Sequence, residues 1–260
     1  MRMKIDVELD YTLDEPGPAI LVIEAAGAQG QDLTATSVDF GSLEHFARVP
    51  AEEGIGEKII IRTTDRIRCR YSAHVTITRP QPNFGAMTAV ELDQMPGDAL
   101  RYLLPSRYCQ AERFVPFATQ HFGKLQGGAK VAAIRDWCEQ RLDYVSGASN
   151  SMTTAADTFL ARQGVCRDYA HLMIALCRAA QIPARIASVF APTVQPPDFH
   201  AVVEVFLDGA WHLIDPTGMA AADNMAIIAV GRDAVDVAFM TTSSYAELQM
   251  QNVSAVQLKD

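Results

Sequence analysis

No apolar run in the sequence approaches the roughly 18 residues that a membrane-crossing helix needs, so no membrane partner is expected. The opening stretch MRMKIDVELDYTL alternates apolar and polar residues and lacks the apolar h-region of a secretory signal, which predicts a cytoplasmic location. Positive charge is scarce. The 22 Lys and Arg against 31 Asp and Glu leave a formal charge of −9, whose field repels phosphate backbones, so nucleic acid is not an expected partner. Cysteines number only five (Cys69, Cys109, Cys138, Cys166, Cys177), scattered and without a CxxC pair. That pattern reads as reduced thiols rather than a disulfide framework. Cys166 and His171 lie close in sequence, but two further ligands at metal-site spacing are missing, so neither a metal nor a cofactor is expected. Repeats and low-complexity tracts are lacking too. What remains, 260 residues at 49% hydrophobic and 20% charged, is the composition of a globular protein able to bury a sizeable core.

The chain divides by texture. MKIDVELDYTL, AILVIEAAG, KIIIRTT and RIRCRYSAHVTITRP are rich in Val, Ile, Thr and Tyr, and DEPGP and EEGIGE punctuate them as turns. They predict an antiparallel β-sandwich-like module over residues 1–85, closed by the linker-like RPQPNFG. Helical periodicity then takes over. GAKVAAIRDWCEQRLDYV puts Val131, Ile134, Cys138, Leu142 and Val145 on one face. TTAADTFLARQG opens on Thr154 three residues before Asp157, a capping-box pattern, and Gly164 is expected to close that helix as its C′ glycine. A helix from about Val165 to Ala180 follows, stopped before Pro183, and then strands. The expected fold class is α+β, with residues 86–260 forming the second unit, the C-terminal segment included.

The stretch RQGVCRDYAHLMIALCRAAQIPAR carries two cysteines in different settings. Cys177 lies deep in an apolar stripe. Cys166 shares that stripe with Ala170, Met173 and Ile174, but stands in the first turn, where free N–H groups and the positive end of the helix dipole favour a thiolate. Arg167 acts in the same direction. The same N–H groups, at Val165 and Cys166, could hold an oxyanion, and Gly164 would let a substrate approach the backbone closely. Asp168 could orient the loop or shape the substrate site, or simply be a favourable charge in the first turn. The helix alone favours a packing role for both cysteines, since buried cysteines are common core residues.

A nucleophilic thiol needs a histidine and a group to hold it. Asp208-Gly209 is a dipeptide suited to a two-residue type I′ turn. In that register Leu207 faces Ala210, Val202 faces Asp215 and His200 would face Thr217. Because side chains alternate, His200 and Asp215 become diagonal neighbours on one face, roughly 5–8 Å apart at Cβ. Nδ1–H of His200 would then reach the carboxylate, leaving Nε2 toward Cys166. A one-residue slip would separate them. His212 falls on the other face and reads as structural; His171 points away from the thiol and reads as solvated or packing.

These residues resemble the transglutaminase-like superfamily, in its bacterial branch of cysteine-protease-like members. The resemblance is carried by TTAADTFLARQGVCRDYAHLMIALCRAAQIPAR, DFHAVVEVFLDGAWHLIDPTG and GRDAVDVAFM, with RYLLPSRYC similar to the family's joining motif. It implies a papain-like catalytic core preceded by an N-terminal β domain. It also implies a triad of Cys166 as nucleophile, His200 as general base and acid, and Asp215 as orienter. Animal members carry Gly-Gln-Cys-Trp where this chain has Gly164-Val165-Cys166-Arg167, and neither their oxyanion tryptophan nor their calcium segments have a recognisable counterpart. The expected reaction is therefore hydrolysis of a peptide or other amide through a thioester, with a peptide or protein amide as substrate. Protein-glutamine transamidation is the alternative, along with an acyltransferase using an activated small-molecule donor. A catalytically silent binding scaffold is the alternative of another class. In the GRDAVDVAF run, Arg232, Asp233 and Asp236 are expected to tie the C-terminal segment to the core.

Overall fold

The computed structural model describes residues 1–259. Strand β1 (Arg2–Leu13) shows how the sequence pattern becomes packing: Met3, Ile5, Val7, Leu9, Tyr11 and Leu13 point inward and the charged residues between them point out. Five more strands follow: β2 (Gly17–Leu21), β3 (Gln31–Asp39), β4 (His45–Pro50), β5 (Glu57–Thr63) and β6 (Arg66–Ile77). Strands β3 and β4 carry no clean alternation and are largely exposed, which is why the sequence does not announce them. They are edge strands, polar enough to tolerate solvent.

The second half contains six helices, α1 (Gly97–Leu100), α2 (Val115–Phe122), α3 (Gly127–Arg141), α4 (Ala155–Ala161), α5 (Cys166–Ala179) and α6 (Ala234–Val237). Its strands are β7 (Asp143–Tyr144), β8 (Gln163–Gly164), β9 (Ala184–Phe190), β10 (His200–Leu207), β11 (Ala210–Ile214), β12 (Ala226–Gly231), β13 (Met240–Thr242) and β14 (Ala246–Gln257). Helix α5 is buried from Asp168 to Arg178, beyond its apolar stripe, with Asp168, His171 and Arg178 buried on hydrogen bonds. It packs on an antiparallel sheet of order β11-β10-β9-β12. The α+β arrangement expected from the sequence is present.

One expectation needs correction. The C-terminal strands do not stay with the second half: β14 pairs along almost the whole of β1, and β13 pairs with β2. Two four-stranded antiparallel sheets result, ordered β14-β1-β6-β3 and β13-β2-β5-β4. The free edges of β1 and β2 carry unpaired backbone groups, and the returning chain satisfies them.

Buried polar contacts join the sheets to the helical part. Arg185 on β9 meets Glu204 on β10 at 2.7 Å and Glu53, from the turn before β5, at 2.5 Å, with its guanidinium 4.1 Å from the Trp211 ring. Gln31 donates to the carbonyls of Ala26 and Ile227 and accepts from the Ile227 N–H. Arg178, at the end of α5, donates to the carbonyls of Ala184, Leu104 and Arg232. The site lies at the other end of α5.

Candidate active site

Cys166 is the first residue of α5, and its position is set by the backbone before it. Thr154 and Asp157 form the expected capping box at the start of α4. That helix ends at Arg162, which itself adopts the left-handed conformation (φ 58°), so Gly164 is not its C′ residue as the spacing suggested. Gly164 instead lies in β8, where Tyr144 and Gly164 are partners in a short parallel pairing with β7.

Glycine is required at 164 for a reason other than substrate access. A Cβ there would lie 2.7 Å from Cβ of Asp168. Asp168 is fully buried; its Oδ2 accepts the Val165 N–H at 2.8 Å and its Oδ1 accepts Arg167 at 3.1 Å. This brace clamps the turn that leads into the thiol. It also consumes the Val165 N–H, which is thereby removed from the expected oxyanion donors. Of the three roles open for Asp168, its contacts match orientation of the loop and a favourable charge in the first turn.

The hairpin forms in the expected register. Leu207 pairs with Ala210 and Val203 with Ile214, and Asp208 and Gly209 both have positive φ, as a type I′ turn requires. His200 starts β10 opposite Val189 of β9, and Asp215 follows the end of β11. The two side chains meet, both buried, at 2.9 Å. The ring orientation is the reverse of the one expected. Nε2, not Nδ1, faces Asp215 Oδ2, and Nδ1 is buried without another hydrogen-bond partner, leaving it the nitrogen available to Cys166.

Asp215 is held in turn. Its Oδ1 accepts the Thr217 N–H and hydroxyl, each at 2.8 Å, and its Oδ2 also accepts the Ala220 N–H at 2.9 Å. Burial would raise its pKa, but His200 and Thr217 outweigh that and hold it below the usual carboxylate range. For His200, burial acts to lower the pKa, while Asp215 and the Cys166 side chain overcome it and push it up to about 10. The pair therefore favours imidazolium against carboxylate, with a thiol on the ring's other side.

Tyr144 is the residue that sequence reasoning missed. It is the β7 partner of Gly164, two residues before Cys166, and burial, followed by the charge of Cys166, pushes its phenol pKa up to about 12. The only signal in the sequence was a tyrosine just past a helix; what brings it to the thiol is the long-range pairing of β7 with β8.

The remaining candidates sort by burial. Cys69, Cys109, Cys138 and Cys177 are buried, whereas Cys166 is partly exposed. His171 is fully buried, not solvated, stacked on Tyr108 and accepting the Ala234 N–H, and burial lowers its pKa to about 4. His212 donates its Nε2–H to the Leu207 carbonyl at 3.1 Å, within its own hairpin. Arg232 pairs with Asp236 within its own segment, and it is Asp233, accepting the Tyr108 N–H, that fastens the segment to the rest.

Residues 117–216, which include Tyr144, Cys166, Asp168, His200 and Asp215, match the family model of the transglutaminase-like superfamily. Among curated relatives, an uncharacterized protein of Mycobacterium leprae is 33% identical over 120 residues, covering 42% of each chain. A second, from Mycobacterium tuberculosis, is 31% identical over 109 residues, covering 36% of this chain and 35% of the relative. The matched region thus spans about two fifths or less of those relatives' length. The crystal structure described as a "Putative Cysteine Protease" from Cytophaga hutchinsonii is similar over 100% of this chain and 91% of that one, with 32% identity and a TM-score of 0.94. A match of that extent covers the sheets and the helical part together, and the chain belongs to the transglutaminase-like superfamily.

Proposed function

We propose that the protein is a thiol-dependent acyl-transfer enzyme that hydrolyses an amide bond through a thioester on Cys166. The observation that carries this reading is the buried His200–Asp215 contact at 2.9 Å, which occupies Nε2 and leaves Nδ1 free beside the thiol. In that arrangement the imidazolium that Asp215 stabilises already holds the proton given up by the thiol, with Nδ1 placed to donate it to the leaving amine.

The steps follow from the placement of these groups. The Cys166 sulfur, its proton already on Nδ1 of His200, attacks the amide carbonyl carbon. The carbonyl oxygen, now negative, is met by the Cys166 N–H and the Tyr144 hydroxyl, which its raised pKa keeps protonated. Collapse of the tetrahedral adduct breaks the C–N bond, and the proton on Nδ1 goes to the departing amine. Water then gives a proton to Nδ1 and attacks the thioester carbon, releasing the acid and the sulfur, with the proton left on Nδ1 as at the start. An amine in place of water would give transamidation by the same steps.

Mass spectrometry after mixing the protein with a panel of peptide amides tests the reading. An acyl adduct on Cys166, absent from Cys166→Ala, is expected, with amine released faster than added amine is incorporated. Iodoacetamide should also alkylate Cys166 at pH 7 at least about tenfold faster in the wild type than in His200→Ala. No adduct across the panel, together with equal alkylation rates, would remove the enzymatic reading.

A further inference from the structure

The loop that delivers His200 to the site also carries Asp198, two residues earlier, and this carboxylate is used by nothing in the chemistry above. Its Oδ1 accepts the Phe199 N–H at 2.7 Å and the Gln251 side-chain amide at 2.8 Å. Gln251 is held by the Tyr11 hydroxyl at 2.7 Å. A chain of hydrogen bonds thus runs from β1 through β14 to the active-site loop and fixes where the carboxylate points. Its Oδ2 accepts no hydrogen bond, and no Lys or Arg forms an ion pair with it, among the described residues.

The charge of Asp198 acts to raise the Tyr144 phenol pKa, which places the carboxylate within electrostatic reach of the residue that pairs with Gly164. The other two carboxylates near the thiol are engaged: Asp168 by Val165 and Arg167, Asp215 by His200, Thr217 and Ala220. Asp198 is exposed, lies two residues before His200, and its charge has no cationic partner among the described residues.

We propose that Asp198 selects substrates bearing a positive charge, a lysine or arginine side chain, next to the amide that Cys166 attacks. The inference rests on Cys166 being the nucleophile, and it gives the sheet module a part in specificity: through Tyr11 and Gln251 it aims the selecting carboxylate. A cationic side chain would meet Oδ2 while its neighbouring carbonyl lies over the thiol.

Two measurements test it. Cys166 is modified with cationic 2-aminoethyl methanethiosulfonate and with neutral methyl methanethiosulfonate, in the wild type and in Asp198→Asn, with Cys166→Ala as background. Asparagine keeps the Oδ1 acceptor for Phe199 and Gln251 and removes only the charge. The cation-to-neutral rate ratio is expected to fall by up to about fivefold in Asp198→Asn, in the range of one exposed ion pair. That difference should shrink toward none at about 1 M salt. In parallel, kcat/KM is compared for paired peptides with Lys or Gln beside the scissile amide, and the Lys-to-Gln ratio should fall by a similar factor in the variant. Charge-dependent thiol modification without peptide turnover would sustain the cation preference while removing the hydrolase reading. Unchanged ratios in an active enzyme would overturn the role of Asp198 alone.

Discussion

Replacing Asp215 with alanine takes the acceptor from four donors at once: His200 Nε2, the Thr217 N–H and hydroxyl, and the Ala220 N–H. Breaking a buried ion pair by removing one partner costs about 3–5 kcal/mol. At about 2–4 °C per kcal/mol for a chain of this size, Tm should fall by about 6–20 °C. The loss has a definite pH dependence. His200 is raised in the folded state to about 10, so its contribution is complete below the unfolded value of about 6.5 and disappears as pH rises through 10. Asp215 is depressed, so its contribution is present above about 3.9 and disappears as pH falls through its folded value. The Tm gap between wild type and Asp215→Ala should therefore be widest near pH 5–6 and narrow steadily toward pH 10. Differential scanning calorimetry at five or six pH values measures it. A gap that stays constant across that range would show that Asp215 acts as packing and hydrogen-bond acceptor without an imidazolium partner, and the electrostatic reasoning would be wrong. Asp215→Asn separates stability from chemistry. The Asn amide must present an N–H to a donor, favouring the His200 tautomer with its proton on Nδ1, so turnover should collapse while Tm falls less.

Tyr144→Phe keeps the ring and deletes the hydroxyl; kcat/KM should drop by about 10²-fold, the scale of one oxyanion donor, with Tm nearly unchanged. Asp168→Ala leaves the Val165 N–H without its acceptor and opens a gap over Gly164, so urea denaturation should show a loss of about 2–3 kcal/mol and Cys166 alkylation should slow. Arg185→Met leaves Glu204 and Glu53 facing each other without their shared cation, and a loss of about 3–5 kcal/mol is expected by the same denaturation, with Glu204→Gln in the same chain restoring part of it.

Residues close in sequence settled much of the site. The Asp208-Gly209 turn fixes the hairpin register by local backbone conformation, and that register puts His200 and Asp215 on one face whatever the rest of the chain does. Apolar periodicity likewise brought Cys166 to the start of a buried helix, because side-chain direction repeats every few residues. Tertiary structure decided the rest. Pairing of β7 with β8 is a contact between segments about twenty residues apart, with only two residues on each strand, so no local pattern could announce Tyr144. The return of β14 to β1 joins the two ends of the chain and carries Gln251 to Asp198. Which backbone N–H Asp168 would consume, and which imidazole nitrogen would face the thiol, depended on the packing around each group. A periodicity states which way a side chain points; only the assembled fold states what it meets there.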